Sequence, residues 1–285
     1  MGKFDGVLIA SDYDNTMVYT EGSLRTGTAT PAISKENLDA VSYFMAEGGT
    51  FSIATGRALP SFDKVRHGVP MNGPTILFNG GAIYDFAQKR YLHTAWMPES
   101  VREHLRQLME FMPDVTFEIY HDNNEIHAIN PNELTVSHEH LTHSPTVTLS
   151  SIDEIPSPIG KILFEEHPPR LKMVEDWLRA QPWSDQYEIV PSATFLLELT
   201  SHGADKGGAV RRLAELTGTE PQHLYCMGDH ANDIPMLEQA HIAFAPQKRN
   251  CGKTSGGTAR PSRGKRTVFR YFGSTRVQCA CNRAL

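Results

Sequence analysis

Two aspartates stand directly after a short apolar segment near the start of the chain. Residues 7–11 (VLIAS) lack polar alternation, which predicts a strand buried on both faces of a parallel sheet. Asp12-Tyr13-Asp14-Asn15-Thr16 follows this segment, at the strand end where open α/β sheets bind ligands. The two carboxylates could share a metal ion or divide the roles of nucleophile and proton donor. A solvated acidic turn is the alternative interpretation, because such turns are common.

Further polar residues stand beside other predicted elements. They provide a hydroxyl, cations and more acids, in the segments Thr55-Gly56-Arg57, Lys206-Gly207 and Gly228-Asp229-His230-Ala231-Asn232-Asp233. A phosphoryl-transfer site needs a nucleophile, cations that neutralise the phosphate, and a carboxylate that holds a metal ion. Each segment alone is more simply a turn or a helix start, but the combination favours phosphoryl transfer.

The order of the predicted strands and helices around these residues indicates an α/β fold. A helix over residues 34–49, with Ser34 as N-cap and two glycines at its end, separates the first strand from FSIA (51–54) and TILF (75–78). This order favours a doubly wound, Rossmann-like parallel sheet. LYCM (224–227) and HIAFA (241–245) continue the pattern after a long interruption.

The interruption predicts a separate α+β cap domain inserted into the core. It holds two helical segments, a KILFE strand and the segment FEIYHDNNEIHAIN, whose two arms flank an Asp-Asn-Asn turn. We therefore expect a core from residues 1–84 and 191–246, a cap over residues 85–190, and an atypical tail over residues 247–285.

Composition and charge exclude several classes of protein. The chain is 40% hydrophobic and 21% charged with four cysteines, which is ordinary for a globular protein without a disulfide framework. Without an apolar run of about 18 residues, we expect a cytoplasmic protein that does not contact membranes. The tail has ten basic and no acidic residues, so residues 1–246 carry 17 basic against 33 acidic side chains. This balance argues against nucleic-acid binding outside the tail.

Five motifs make the chain resemble the haloacid dehalogenase (HAD) superfamily, and within it the Cof-type phosphatases. They are D-x-D-x-T at 12–16, T-G-R at 55–57, N-G at 79–80, K-G at 206–207 and G-D-x-x-N-D at 228–233. All occur in family order, and the resemblance covers residues 5–246. It implies a Rossmann-like core with a C2-type cap inserted after the third core strand, and phosphatase activity.

The resemblance also implies roles for the acids and the metal ion. Asp12 would be the nucleophile that forms an aspartyl-phosphate, and Asp14 would be the acid for the leaving oxygen and then the base for water. Asp229 would bind Mg²⁺ together with the Asp12 carboxylate and the Asp14 backbone carbonyl. Asn15 replaces the glycine usual in the family, and we expect the turn to survive because Asn tolerates a left-handed backbone.

The remaining motif residues would bind the phosphate. The resemblance implies that the Thr55 hydroxyl and the Gly56 amide hold phosphate oxygens and that Lys206 neutralises the nucleophile and the phosphoryl group. Asn232 and Asp233 would orient the phosphate, a metal-bound water or Lys206. Arg57 is a supporting residue.

Several alternatives stay open on the sequence alone. A phosphomutase of the same superfamily would use the same aspartyl-phosphate, and a regulator that only binds a phosphorylated metabolite would keep the fold. The presence of Asp14 favours phosphoesters over halides, because a leaving alkoxide must be protonated. The substrate, expected to be a small sugar phosphate or cofactor phosphate, and the oligomeric state are not fixed by any motif.

The tail and the cap histidines carry weaker patterns. The α/β pattern stops at Gln247 and most of the tail lacks helical or strand periodicity, so we favour a reading-frame change near that codon over a basic arm for nucleic acid or an acidic partner. A zinc site from its cysteines is weakly supported. In the cap, the histidines fit no HExxH-type zinc pattern, and we expect them to be exposed loop residues: His121, His127, His138, His140 and His143.

Overall fold

The chain alternates short strands and helices, in a computed structural model that describes residues 2–20, 31–123, 125–142, 144–246 and 269–270. The strands are β1 (Leu8–Ser11), β2 (Thr50–Ile53), β3 (Thr75–Leu77), β4 (Ala82–Asp85), β5 (Arg90–Thr94), β6 (Phe117–Tyr120), β7 (Ile126–Ile129), β8 (Val147–Thr148), β9 (Lys161–Glu165), β10 (Tyr187–Ala193), β11 (Leu196–Ser201), β12 (Leu224–Met227), β13 (Ile242–Pro246) and β14 (Phe269–Arg270). The helices are α1 (Lys35–Ala46), α2 (Leu59–Val65), α3 (Val101–Phe111), α4 (Glu133–Thr142), α5 (Pro168–Arg179), α6 (Lys206–Thr217) and α7 (Ile234–Gln239).

The core is a five-stranded sheet with β12 at its centre and β1 beside it. Its order is β14-β13-β12-β1-β2, and only the β13–β14 pair is antiparallel. Leu8 and Ala10 of β1 pack against α6, whereas Phe51 and Ile53 of β2 pack against the α1 side. Both faces are covered, which is why β1 reads as an unbroken apolar run. The expected doubly wound α/β core is confirmed.

Helix α1 begins where the sequence predicts. Ser34 is extended, and its hydroxyl accepts a hydrogen bond from the Asn37 amide at 3.2 Å, as an N-cap does. Val41 and Phe44 are its buried side chains. The helix therefore covers one face of the sheet and leaves the strand ends open.

A second sheet of six strands forms the inserted cap. Its order is β10-β11-β9-β6-β7-β8, and every pair is antiparallel except β7–β8. One face packs on α3 and α5 through a large apolar cluster that includes Phe117, Phe164 and Leu178. The opposite face supplies Tyr120 and Leu163 to an apolar cluster shared with the core. The cap thus packs directly on the core.

The first and last strands of the cap sheet do not coincide with the boundaries of the expected insert over residues 85–190. Strands β4 and β5 form an antiparallel sheet with β3, which a parallel bridge between Ala54 and Ile76 connects to β2. At the other end, the β10–β11 hairpin pairs with β9, so the cap sheet runs to Ser201. The β4–β5 and β10–β11 hairpins each keep both of their strands in one sheet through hydrogen bonds. A boundary inferred from composition cannot detect this pairing.

Most of the tail, including Cys251, Cys279 and Cys281, lies outside the described residues, and so do the hypotheses about it. Phe269–Arg270 is the described part, and it pairs with β13. Among the helices of the described segments, none combines the length and apolar character that crossing a bilayer requires.

Gly80 allows the turn after β3 to lie against Asp205, the residue before α6. Its φ is +113°, and a Cβ there would lie 2.2 Å from the Asp205 carbonyl oxygen. We expect Gly80→Ala to lower the free energy of unfolding by about 2–4 kcal/mol, because it adds a backbone clash to left-handed strain. Gly218→Ala is the matched control, since Gly218 has φ +67° and open space around it. Equal losses in urea unfolding of the two variants would contradict this account.

Candidate active site

The acidic turn after β1 lies at the carboxyl edge of the core sheet. The Asp12 amide donates to the Met227 carbonyl of β12 at 2.8 Å, which extends the β1–β12 pairing into the turn. Asn15 has φ +62°, so the left-handed position usual for glycine in the family is kept. The turn directs Asp12 into the protein, where its side chain is only 8% exposed.

Lys206 connects this turn to the loop after β12. Asp205 caps α6 by accepting from the Gly207 and Gly208 amides at 2.6 and 2.9 Å, and this cap fixes Lys206 in the first turn. The Lys206 ammonium donates to Asp12 Oδ1 at 2.7 Å and to Asp233 Oδ1 at 2.6 Å. Its side chain is fully buried. One cation therefore bridges two carboxylates out of contact with water.

Burial and charge shift the titration of this pair. Burial raises the pKa of Asp12 to about 8; Lys206 opposes the rise, while Asp233 and Asp14 add to it. Burial alone would lower the pKa of Lys206, but the charges of Asp12 and Asp233 raise it above its usual value. The lysine is thus held as a cation, and Asp12 needs more positive charge nearby to remain ionised.

Asp233 organises the loop that carries Asp229. Its Oδ2 accepts from the backbone amides of Asp229 and His230 at 2.9 and 3.0 Å. A Cβ on Gly228 would lie 2.4 Å from the Asp233 Cβ, so glycine is required for this close approach. With Oδ1 held by Lys206, both Asp233 oxygens are engaged.

Asp12, Asp229 and Asp233 form an acidic group that fits a divalent cation. One carboxylate oxygen from each lies within 4.8 Å of the others, and hard cations such as Mg²⁺ prefer oxygen ligands. Because Asp233 is engaged by Lys206 and the loop, Asp12 and Asp229 are the side chains placed to bind the ion. The Asp14 side chain is not in this group; its expected contribution is a backbone carbonyl.

Arg57 holds the second aspartate of the turn. Its Nε and Nη2 donate to the two oxygens of Asp14 at 2.8 and 2.7 Å, a bidentate pair with precise geometry. The guanidinium also lies over the Tyr13 ring, 5.4 Å from its centroid. Asp14 remains 32% exposed, so it is positioned by Arg57 yet open to a substrate.

Thr55 and Gly56 lie after β2. The Thr55 hydroxyl is buried and accepts from the Arg57 amide at 3.1 Å. A Cβ on Gly56 would lie 3.0 Å from the Asn79 amide nitrogen. Asn232 donates to Asn79 Oδ1 at 2.9 Å. Asn79 therefore contacts both loops that carry expected phosphate-binding residues, the one with Gly56 and the one with Asn232.

Three residues beside the site had no role assigned from the sequence. The amide of Asn79, of the N-G motif, donates to Glu198 Oε2 at 2.6 Å. The Lys161 ammonium donates to the Gly56 carbonyl at 3.1 Å and lies 3.5 Å from Glu198 Oε2. Lys161 and Glu198 belong to cap strands β9 and β11, so the cap makes polar contacts with the loop that is expected to bind phosphate. The N-G motif was the only sequence signal for any of them.

Comparison with known proteins finds a matching family model and named relatives. A family model described as haloacid dehalogenase-like hydrolase matches residues 9–248. Two Bacillus subtilis (strain 168) proteins named 5-amino-6-(5-phospho-D-ribitylamino)uracil phosphatase, YwtE and YitU, are each 26% identical over 257 residues. The matches cover 81% and 84% of this chain, and 84% and 85% of those proteins.

A solved structure confirms the fold. A HAD subclass IIB sugar phosphatase aligns with a TM-score of 0.68 and 20% sequence identity, over 84% of this chain and 86% of that one. The match to the family model extends over most of the chain and includes every motif noted in the sequence. This chain belongs to the haloacid dehalogenase-like hydrolase family.

Proposed function

We propose that the chain is a Mg²⁺-dependent phosphatase that hydrolyses a small phosphorylated metabolite through an aspartyl-phosphate at Asp12. The observation that carries the proposal is the buried Lys206 ammonium, which bridges Asp12 and Asp233 beside Asp229. A buried cation next to a buried nucleophile is what transfer of an anionic phosphoryl group requires. The family and the phosphatase names of its relatives support the same class of enzyme.

In the first half-reaction an Asp12 oxygen attacks phosphorus, and the bond from phosphorus to the leaving oxygen breaks. Asp14 gives its proton to that oxygen, which leaves as an alcohol. For this step one Asp14 oxygen must turn from Arg57 to the substrate, and its partial exposure allows this. Lys206 and the Thr55 hydroxyl stabilise the charge on the phosphoryl oxygens.

In the second half-reaction water attacks the phosphorus of the aspartyl-phosphate. Asp14 takes a proton from this water, the bond from phosphorus to Asp12 breaks, and inorganic phosphate is released. Splitting the hydrolysis in this way replaces one difficult step by two easier ones. Both oxygens of Asp233 stay engaged with Lys206 and the loop, so Asp233 positions Lys206.

Asp12 and Asp229, with the Asp14 backbone carbonyl, would hold Mg²⁺. When bound, the ion would neutralise charge on the phosphoryl group and on the two carboxylates. The raised pKa of Asp12 supports this assignment, because a nearby cation favours the ionised carboxylate that attack requires.

The cap and the relatives support the proposed substrate class. Lys161 and Glu198 bring a cation and an anion of the cap to the phosphate-binding loop, which suits a polar leaving group with hydroxyl or amine functions. The relatives are named for a ribitylamino-uracil phosphate and for a sugar phosphate. We assign this chain a sugar phosphate or a cofactor phosphate.

Phosphate release tests the proposed function. The protein is assayed with p-nitrophenyl phosphate and a panel of sugar and cofactor phosphates, with Mg²⁺ and with EDTA. We expect turnover that EDTA abolishes and Mg²⁺ restores. A folded protein that binds members of the panel but releases no phosphate from any of them would point instead to a binding protein, and transfer to a second sugar would point to a mutase.

Asp14→Asn tests the proton donor. Asn cannot supply a proton, so we expect kcat/KM for a sugar phosphate to fall by about 100-fold or more. For p-nitrophenyl phosphate the fall is expected to be much smaller, because nitrophenolate leaves without protonation. The two kcat/KM values are measured side by side, and equal losses for both substrates would exclude Asp14 as the acid.

A further inference from the structure

A second group of metal-ligating side chains lies within the cap and shares no residue with the Asp12–Lys206 site. Glu118 of β6 and Glu165 of β9 are fully buried, and His138 of α4 covers them. His138 Nδ1 lies 3.0 Å from Glu118 Oε2 and 3.2 Å from Glu165 Oε1. One ligand atom of each residue lies within 4.8 Å of the other two.

Glu165 is the most deeply buried of the three side chains. Its carboxylate is 0% exposed, and neither oxygen receives a hydrogen bond of normal geometry within the described part of the chain. The Thr135 hydroxyl and the His138 ring face it from α4. A buried carboxylate in this state is costly unless a cation binds it.

The proton on His138 cannot satisfy both carboxylates. Nδ1 already lies within hydrogen-bond distance of both Glu118 oxygens, at 3.0 and 3.1 Å. The Tyr120 hydroxyl also donates to Glu118. Glu118 is therefore well supplied with donors, whereas Glu165 is faced by the Thr135 hydroxyl and shares the His138 ring with Glu118.

We propose that Glu118, His138 and Glu165 bind a divalent transition-metal ion, for which Zn²⁺ is the best match. Two carboxylate oxygens and an imidazole nitrogen suit zinc better than magnesium. Ligand atoms about 2 Å from a tetrahedral ion lie roughly 3.3 Å from one another, close to the separations of Nδ1 from the two glutamates. Water completes the coordination, and the ion enters past His138, whose side chain is 14% exposed.

The ion would fasten α4 to the cap sheet. Thr135 is the only buried residue of this helix, and Val136 is 51% exposed, so α4 has little apolar surface with which to pack. Just after α4, the Ser144 hydroxyl accepts a hydrogen bond from Lys64 of the core helix α2 at 3.0 Å. A metal-fixed α4 would therefore also steady a contact between cap and core.

Calorimetric titration with ZnCl₂ at neutral pH tests the site. The parent is the full-length chain with Cys251, Cys279 and Cys281 replaced by serine, because thiolates bind zinc. It also carries Asp229→Asn, which removes a ligand of the proposed magnesium site. Binding is thus measured independently of phosphatase activity.

We expect the parent to bind one equivalent of zinc, and Glu165→Gln and His138→Gln each to bind it at least tenfold more weakly. His140→Gln is the matched control, because His140 is an exposed residue of the same helix, and it should bind like the parent. Zinc should raise the Tm of the parent and of His140→Gln only. A parent that binds no zinc, or zinc binding that persists in either ligand variant, would overturn the proposal.

Discussion

Asp12→Asn is expected to lower kcat by about 10⁴-fold while the protein stays folded. The amide is a poor nucleophile, so no aspartyl-phosphate forms, and losses of this size follow removal of a catalytic nucleophile. The fold should persist because Lys206 keeps its second partner, Asp233. Phosphate release from the best substrate of the panel measures the loss, and circular dichroism measures the fold.

The control for this variant is Asp39→Asn on the exposed face of α1. Asp39 pairs with Lys35 at the surface, where its side chain is 65% exposed, and surface pairs contribute little. Its activity should equal that of the unmodified protein. If Asp12→Asn kept a tenth of the activity, Asp12 would not be the nucleophile, and the proposed chemistry would be wrong.

Lys206→Met is expected to lower both activity and stability. Without the ammonium, the buried carboxylate of Asp233 loses its counter-charge, and loss of one partner of a buried pair costs about 3–5 kcal/mol. The free energy of unfolding, from urea titration, should fall by that amount. The transition state would also lose its main cation, so we expect kcat to fall by at least about 10³-fold.

Lys35→Met is the control that removes a paired lysine charge without disturbing a buried site. Lys35 also pairs with an aspartate, but its side chain is 82% exposed, so its loss should leave unfolding and activity unchanged. The stability loss of Lys206→Met should shrink on lowering the pH, since protonation of a buried carboxylate removes the unpaired charge. A variant as stable as the unmodified protein at neutral pH would contradict the proposed role of Lys206.

The core of the site was predictable because of how parallel sheets are built. Carboxyl ends of parallel strands meet at one edge, so motifs after β1, β2 and β12 had to converge. Lys206 was included because the pair Lys206-Gly207 opens a predicted helix and occurs in family order. Sheet geometry therefore sufficed to bring Asp12 and Asp229 together, whereas the place of Lys206 and the catalytic roles rest on family resemblance.

The cap contacts could not be predicted in the same way. Lys161 and Glu198 approach Gly56 and Asn79 across more than 100 residues of sequence, and no motif marks either. The histidine spacings were likewise uninformative: His121 and His127 are buried and hydrogen-bonded to each other rather than exposed in loops.

In the sequence, His138 was considered as a metal ligand only together with other histidines. In the structure its partners are Glu118 and Glu165 from two strands, which come together only when β6 pairs with β9. Long-range pairing of this kind decides which polar groups become buried. A search for spaced histidines cannot detect it, because the partners are carboxylates from distant segments.

The central claim, covalent transfer of the phosphoryl group to Asp12, is tested most directly by acid quenching during turnover. Asp14→Asn is mixed with p-nitrophenyl phosphate and Mg²⁺, because this substrate still phosphorylates Asp12 while loss of the base slows hydrolysis. Peptide mass spectrometry then locates the phosphoryl group. We predict one phosphoryl group on Asp12 that is absent when EDTA replaces Mg²⁺. Nitrophenol release with no phosphorylated peptide, or with the phosphoryl group on another residue, would contradict the mechanism.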